Sequence, residues 1–217
     1  MTLPLELVFA TRNQGKLGEM RTLLAALVAS PVTLLTLDEV GFTGDVEEDG
    51  ATFADNARKK ALTVAKAVRR PTLADDSGLL VDALGGAPGV HSARYAGAHG
   101  NDAANRAKLL EALAAVPSPR PAHFSCVLAL ARPIPYGAGV EILAMEEGRC
   151  DGEIAREPRG QGGFGYDPLF YVPAQGRTMA ELASHEKDRI SHRGQAMNRM
   201  AQRLVQLWSA LLQAAPR

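Results

Sequence analysis

Residues 71–81 read Pro-Thr-Leu-Ala-Asp-Asp-Ser-Gly-Leu-Leu-Val, an apolar run that meets two adjacent carboxylates and a Ser-Gly step before it resumes. In an α/β protein the carboxyl end of a strand is where ligands bind and reactive side chains are displayed. Successive strand residues point to opposite faces, so Asp75 and Asp76 are not expected to share one role. One should face a cleft and the other backbone or a neighbouring element. Ser77-Gly78 reads as a turn, with Leu79-Leu80-Val81 as a partner strand or a continuation. An ordinary surface turn would use the same residues. The rest of the chain argues for more, because it supplies partners that a carboxylate here would need.

The 217 residues suffice for one large domain or two small ones with a real core. Twenty-four basic residues balance 24 acidic ones, so no global field draws the chain to nucleic acid or to an anionic membrane. A polyanionic substrate would have to be captured by local cations. Cys126 and Cys150 have no metal-ligand spacing, and so few cysteines suit a reducing compartment. The N-terminus lacks a signal-peptide plan, and no apolar run reaches the ~20 residues that span a bilayer. A soluble, cytoplasmic protein is expected.

Leu5–Ala10 reads as a buried strand and is followed by Thr11-Arg12-Asn13-Gln14-Gly15-Lys16. Apolar residues then recur at helical spacing at Leu17, Met20, Leu24, Leu27 and Val28. A polar turn entering a helix presents backbone N–H groups, an amide and an ammonium, a setting suited to phosphate. It is not a Walker A loop. Val32–Leu37 reads as a second strand. Asp45 to Gly50 then gathers four acids, one of which is a candidate ligand for a divalent cation, since Mg²⁺ takes carboxylate and phosphate oxygens. Thr52 to Asp55 has capping-box spacing and opens a helix to about Val68, with Arg58, Lys59, Lys60 and Lys66 read mainly as a solvated surface.

Further on, Gly85–Gly89 breaks the chain, 91–97 reads as a structured loop and Asp102–Ala115 as a helix. Ala122–Ala131 and Val140–Ile154 read as an antiparallel hairpin. Four glycines fall within Gly160 to Gly165, where the backbone can approach a ligand closely. Phe164 and Tyr166 there offer flat faces for a planar ring. His192 and Arg193 open a long amphipathic helix, from which they can donate to an anion or to ring oxygens.

Six segments occur in the order found in Ham1/RdgB-type inosine triphosphate pyrophosphatases. They are Thr11-x-Asn13-x-x-Lys16, Glu47-Glu48-x-Gly50-x-Thr52-Phe53-x-x-Asn56-Ala57, Ala74 to Leu79, Pro88 to Tyr95, Gly162 to Pro168 and Ile190 to Arg193. The chain resembles that family from Leu7 to about Arg199. The resemblance implies a single domain over residues 1–217 with a central mixed β-sheet flanked by helices. Two lobes would stand around a substrate cleft, in a Ham1/Maf-like architecture. It also implies a homodimer that needs Mg²⁺ and hydrolyses deaminated purine nucleoside triphosphates (ITP, dITP, XTP) to monophosphate and pyrophosphate. Carried over residue by residue, Thr11, Arg12, Asn13, Gln14, Gly15 and Lys16 would hold phosphates. Glu47 and Asp76 would serve the metal, and Asp76 would also activate the attacking water. Ser77 and Lys187 would contact substrate. Phe164, Gly165, Tyr166, Asp167, His192 and Arg193 would form the base pocket.

Overall fold

Two strand–helix–strand crossovers begin the chain: β1 (Leu5–Phe9), α1 (Gln14–Leu27), β2 (Val32–Leu35), α2 (Phe53–Val68) and β3 (Thr72–Val81). The computed structural model describes residues 5–213 except Ser30, His99 and Tyr136. Much of the segment read for a signal peptide therefore lies outside the described residues. After β3 come α3 (Asp102–Ala112), β4 (Pro121–Pro133), β5 (Val140–Ile154), β6 (Phe170–Val172), β7 (Arg177–Thr178), α4 (Ser184–Ile190) and α5 (His192–Gln213). The strands form a mixed seven-stranded sheet in the order β2-β1-β3-β4-β5-β6-β7. No helix among the described residues is long and apolar enough to cross a membrane.

The chain divides into two compact units, and β3, β4, β5 and α5 contribute residues to both. The first holds residues 5–76, 127–147 and 196–213. In it β1 pairs in parallel with β2 on one side and β3 on the other. Asn13 caps α1 by accepting from the Lys16 N–H, and Thr52 and Asp55 form the reciprocal capping box of α2. Leu17, Met20, Leu23 and Leu24 of α1 are buried, as are Ala57, Ala61 and Val64 of α2 and Met197, Met200 and Leu204 of α5. Full burial of one of the leucine, methionine or valine side chains among these stabilises by ~1.5–3 kcal/mol.

The second unit holds residues 77–126 and 148–195. Its apolar cluster joins Leu79 and Val81 to Leu109, Leu113, Phe124 and Phe170. Phe124 and Phe170 meet in a tilted pair with ring centroids 4.4 Å apart. β5, β6 and β7 form an antiparallel meander in this unit.

One reading needs correction. No turn forms at Ser77-Gly78, because β3 runs unbroken to Val81. Leu79 and Val81 are fully buried, and the Leu79 N–H is taken up by the Ser92 hydroxyl at 2.9 Å, so the chain has reason to stay extended. The stretch before the long helix forms a helix of its own, α4, which ends where Ser191 turns extended. The Ser191 hydroxyl then accepts from the Gly194 N–H at 3.0 Å. A side chain at Gly194 would collide with the Asp188 carbonyl, so glycine permits this tight junction.

Glu186 ties α4 down by accepting from the Ala183 N–H and from both terminal nitrogens of Arg177. Those donors, Arg177 foremost, lower its pKa to about 2. A carboxylate with a depressed folded-state pKa stabilises above its unfolded value, ~4.3, and loses that contribution as pH falls toward the folded value. Glu186→Gln should therefore melt below the parent at pH 7, with the gap closing between about pH 4 and pH 2. Thermal melts across that range check it, and a gap that persists at pH 2 would contradict the assignment.

Candidate functional site

In the order β2-β1-β3 the chain goes out from β1 to β2 and returns past β1 to β3, which makes the β1/β3 boundary a switch point, and α/β sheets bind ligands at the carboxyl ends of strands beside such a point. Thr11 to Lys16 leave β1 there. The register pairs Phe9 with Leu73, so β3 carries Asp75 and Asp76 just past the end of β1.

Both acids are buried, at 1% and 4% exposure, and each has its own cation. The Lys16 ammonium lies 2.9 Å from Asp75 Oδ1. Lys60 of α2 lies 3.3 Å from Asp76 Oδ1 and 3.0 Å from Glu48 Oε1. Asn56, one helical turn before Lys60, donates to Asp76 Oδ2 at 3.0 Å, and its own oxygen accepts from the Gly50 N–H at 2.8 Å. Three carboxylates thus gather around two ammonium groups. Burial raises the pKa of Asp76 against the pull of Lys60 and Lys16. Burial by itself would lower that of Lys60, but Asp76, Asp75 and Glu48 together raise it, so it stays an ammonium.

The turn itself is built by its own side chains. Thr11 Oγ1 accepts from the Asn13 N–H at 3.1 Å, and Asn13 Oδ1 accepts from the Lys16 N–H at 3.0 Å. Gln14 and Gly15 occupy the first helical positions, where N–H groups have no partner within the helix. Arg12 turns away, binding Asp38 and the carbonyls of Phe42 and Gly44. Its guanidinium braces the loop rather than facing the acids.

Exposure alternates residue by residue from Asp45 to Gly50, as in an extended chain, which puts Glu47 outside and Glu48 inside. The structure therefore brings Glu48, not Glu47, toward Asp76. Glu48 and Asp76 oxygens converge on one cationic point, now the Lys60 ammonium. Hard oxygens arranged this way suit Mg²⁺ when phosphates supply further ligands, so these two residues could hold it. Lys60 and Asn56 went unassigned in the sequence, although a signal existed. They lie at helical spacing on the face of Phe53, Ala57, Ala61 and Val64, where a polar pair needs a buried partner.

The second unit gathers the other predicted residues. Lys187 Nζ is 2.6 Å from Asp167 Oδ2, which also accepts from the Phe164 N–H at 2.9 Å. The Phe164 ring has Lys187 Nζ 5.0 Å and Arg193 Cζ 5.7 Å from its centroid, within cation–π range. Arg193 also donates to the Ser77 hydroxyl at 2.9 Å. Gly163 has φ +70°, and a side chain there would strike the Asp167 carboxylate. His192 stacks on Phe124, with centroids 4.7 Å apart. Tyr166 departs from the expectation of a flat face for a ligand. Its ring belongs to the apolar cluster, its hydroxyl donates to the Ser92 carbonyl at 2.9 Å, and burial pushes its pKa up. Phe164 alone of the two keeps a partly open ring.

The profile described as the Ham1 family matches residues 7–203. The dITP/XTP pyrophosphatase of Geobacillus kaustophilus is 51% identical over 196 residues, 90% of this chain and 92% of that protein. Its namesake in Bacillus subtilis is 45% identical over 205 residues, 94% and 99% of the two chains. Among solved structures, a HAM1 protein from Coxiella burnetii matches with TM-score 0.79 and 47% identity, over 93% of this chain and 99% of its own. A nucleoside-triphosphatase / dITP/XTP pyrophosphatase from Mycobacterium abscessus matches with TM-score 0.70 and 45% identity, over 90% and 97%. With its sequence matched from residue 7 to 203 and its fold shared with solved members, the chain belongs to the Ham1 family.

Proposed function

We propose that this chain is a Mg²⁺-dependent nucleoside triphosphate pyrophosphatase that clears deaminated purine nucleotides (dITP, XTP and ITP) from the nucleotide pool. The relatives named dITP/XTP pyrophosphatases support the activity. The observation that carries the chemistry is the group of Asp75, Asp76 and Glu48 around Lys16 and Lys60. A triphosphate brings about four negative charges, which cations must screen before water can approach phosphorus. Lys16 and the first N–H groups of α1 are suited to that task. A divalent ion held by Glu48 and Asp76 would supply further charge neutralisation on the phosphates. Asp76, whose burial strengthens its hold on a proton, accepts one from the attacking water. The new bond joins water oxygen to the α-phosphorus, the α–β bridging bond breaks, and pyrophosphate leaves. Lys187, Phe164, Asp167, His192 and Arg193 serve the base in this reading, Ser77 assists through Arg193, and the enzyme acts as a homodimer.

The deciding experiment is a nucleotide panel with Mg²⁺ in ¹⁸O-labelled water, resolving pyrophosphate from orthophosphate. Pyrophosphate release from dITP and XTP, with label in the monophosphate, is expected. Orthophosphate as first product, or label in pyrophosphate, would overturn the proposal.

Asp76→Asn should lower kcat by ~10²–10⁴ while the fold persists, since it keeps shape but loses basicity. Near-normal turnover, checked beside Asp75→Asn, would move the role to Asp75. For the metal, Glu48→Gln should raise the Mg²⁺ concentration giving half-maximal rate, whereas Glu47→Gln should leave it unchanged. The reverse order in a Mg²⁺ titration would return the ligand to Glu47.

A further inference from the structure

Gly165 sits at the tip of the glycine-rich loop with φ +60°, and both of its backbone polar groups are claimed by one helix. Asp102 Oδ2 of α3 accepts from the Gly165 N–H at 2.7 Å. Arg106 of α3 donates from Nη1 to the Gly165 carbonyl at 2.7 Å. The two side chains are four residues apart, on one face of the helix, and each contact is charge-assisted. Neither residue touches the Lys187–Asp167 pair or the Phe164 ring in any contact described above.

The helix they stand on is itself well fixed. Asn105 accepts from the Ala96 N–H at 2.8 Å and donates to the Ala93 carbonyl at 3.3 Å, tying α3 to the preceding loop. Leu109 and Leu113 anchor it in the apolar cluster, and Arg120 takes up the Leu113 and Val116 carbonyls past its end. On the other side of Gly165, Asp167 holds the Phe164 N–H. Phe164 is therefore strung between an anchor at Asp167 and an anchor on α3.

We propose that Asp102 and Arg106 are positioning residues for base recognition: by gripping the Gly165 peptide from a rigid helix they fix where the Phe164 ring stands, and so set the preference among purines. The inference rests on the functional reading above. It assigns selectivity to side chains that act through the Gly165 peptide, whose N–H and carbonyl they already hold.

The test measures kcat and KM separately for dITP, XTP and dGTP with Arg106→Ala, Arg106→Lys, Asp102→Ala and Asp102→Asn. Inhibition by inorganic tripolyphosphate, which lacks a base, and the melting temperature are read alongside. Arg106→Ala should raise KM for dITP about ten-fold with kcat within about two-fold, as expected from losing a charge-assisted bond that holds a binding group. The dITP-over-dGTP preference should fall by a similar factor, tripolyphosphate inhibition should not change, and Arg106→Lys should recover part of the loss. Asp102→Asn, which keeps an acceptor, should lie nearer the parent than Asp102→Ala. A preference unchanged within two-fold would overturn the inference. So would tripolyphosphate inhibition weakening in step with dITP binding, which would mark a general structural role. Should Arg106→Ala not fold, Asp102→Ala still decides it, an unchanged preference there being fatal. A parent protein that releases no pyrophosphate from dITP would instead overturn the functional reading, and this inference with it.

Discussion

Two neighbouring carboxylates inside a buried strand have to be neutralised, because an unpaired ion held away from water costs several kcal/mol. Their positions dictate how. Side chains at successive strand positions point to opposite faces, so Asp75 and Asp76 need cations from different sides of the sheet. The chain supplies them through its opening topology. It crosses from β1 to β2 in one direction and from β2 back to β3 in the other, and right-handed crossovers in opposite directions lay their helices on opposite faces. Lys16 comes from α1 and Lys60 from α2. The fold of the first unit and the charge of its site are one arrangement.

What the sequence made legible follows from local rules. A capping box announced α2, and apolar spacing announced α1, β1 and the long helix. What it hid depends on partners distant in the chain. Lys60 looked like one surface cation among four, and only its place on the buried face of α2, opposite Asp76, makes it a site residue. Glu47 and Glu48 are indistinguishable by type, and the extended course of their loop decides which points inward. Ser77-Gly78 has turn composition, yet burial of the flanking leucine and valine keeps it in a strand. Tyr166 resembled Phe164 until its hydroxyl found the Ser92 carbonyl and drew the ring into the core.

In the second unit an aromatic ring is the focus of cations. Lys187 and Arg193 both stand within cation–π range of Phe164, and their other contacts, to Asp167 and Ser77, keep them from swinging away. The tight joint at Gly194 holds these two cations at a fixed spacing, since one belongs to α4 and the other to α5.

The pairing that lets Lys60 be buried changes what kind of reagent it is. An amine attacks carbonyl and acyl donors only as the free base, and three nearby carboxylates hold this one as an ammonium. At 7% exposure it is also shut away from bulky donors. Lys59, the next residue and paired with Asp49 at the surface, has no such shelter. Acylating metabolites and amine-directed labels would therefore mark the outside of α2 and leave its inner lysine untouched.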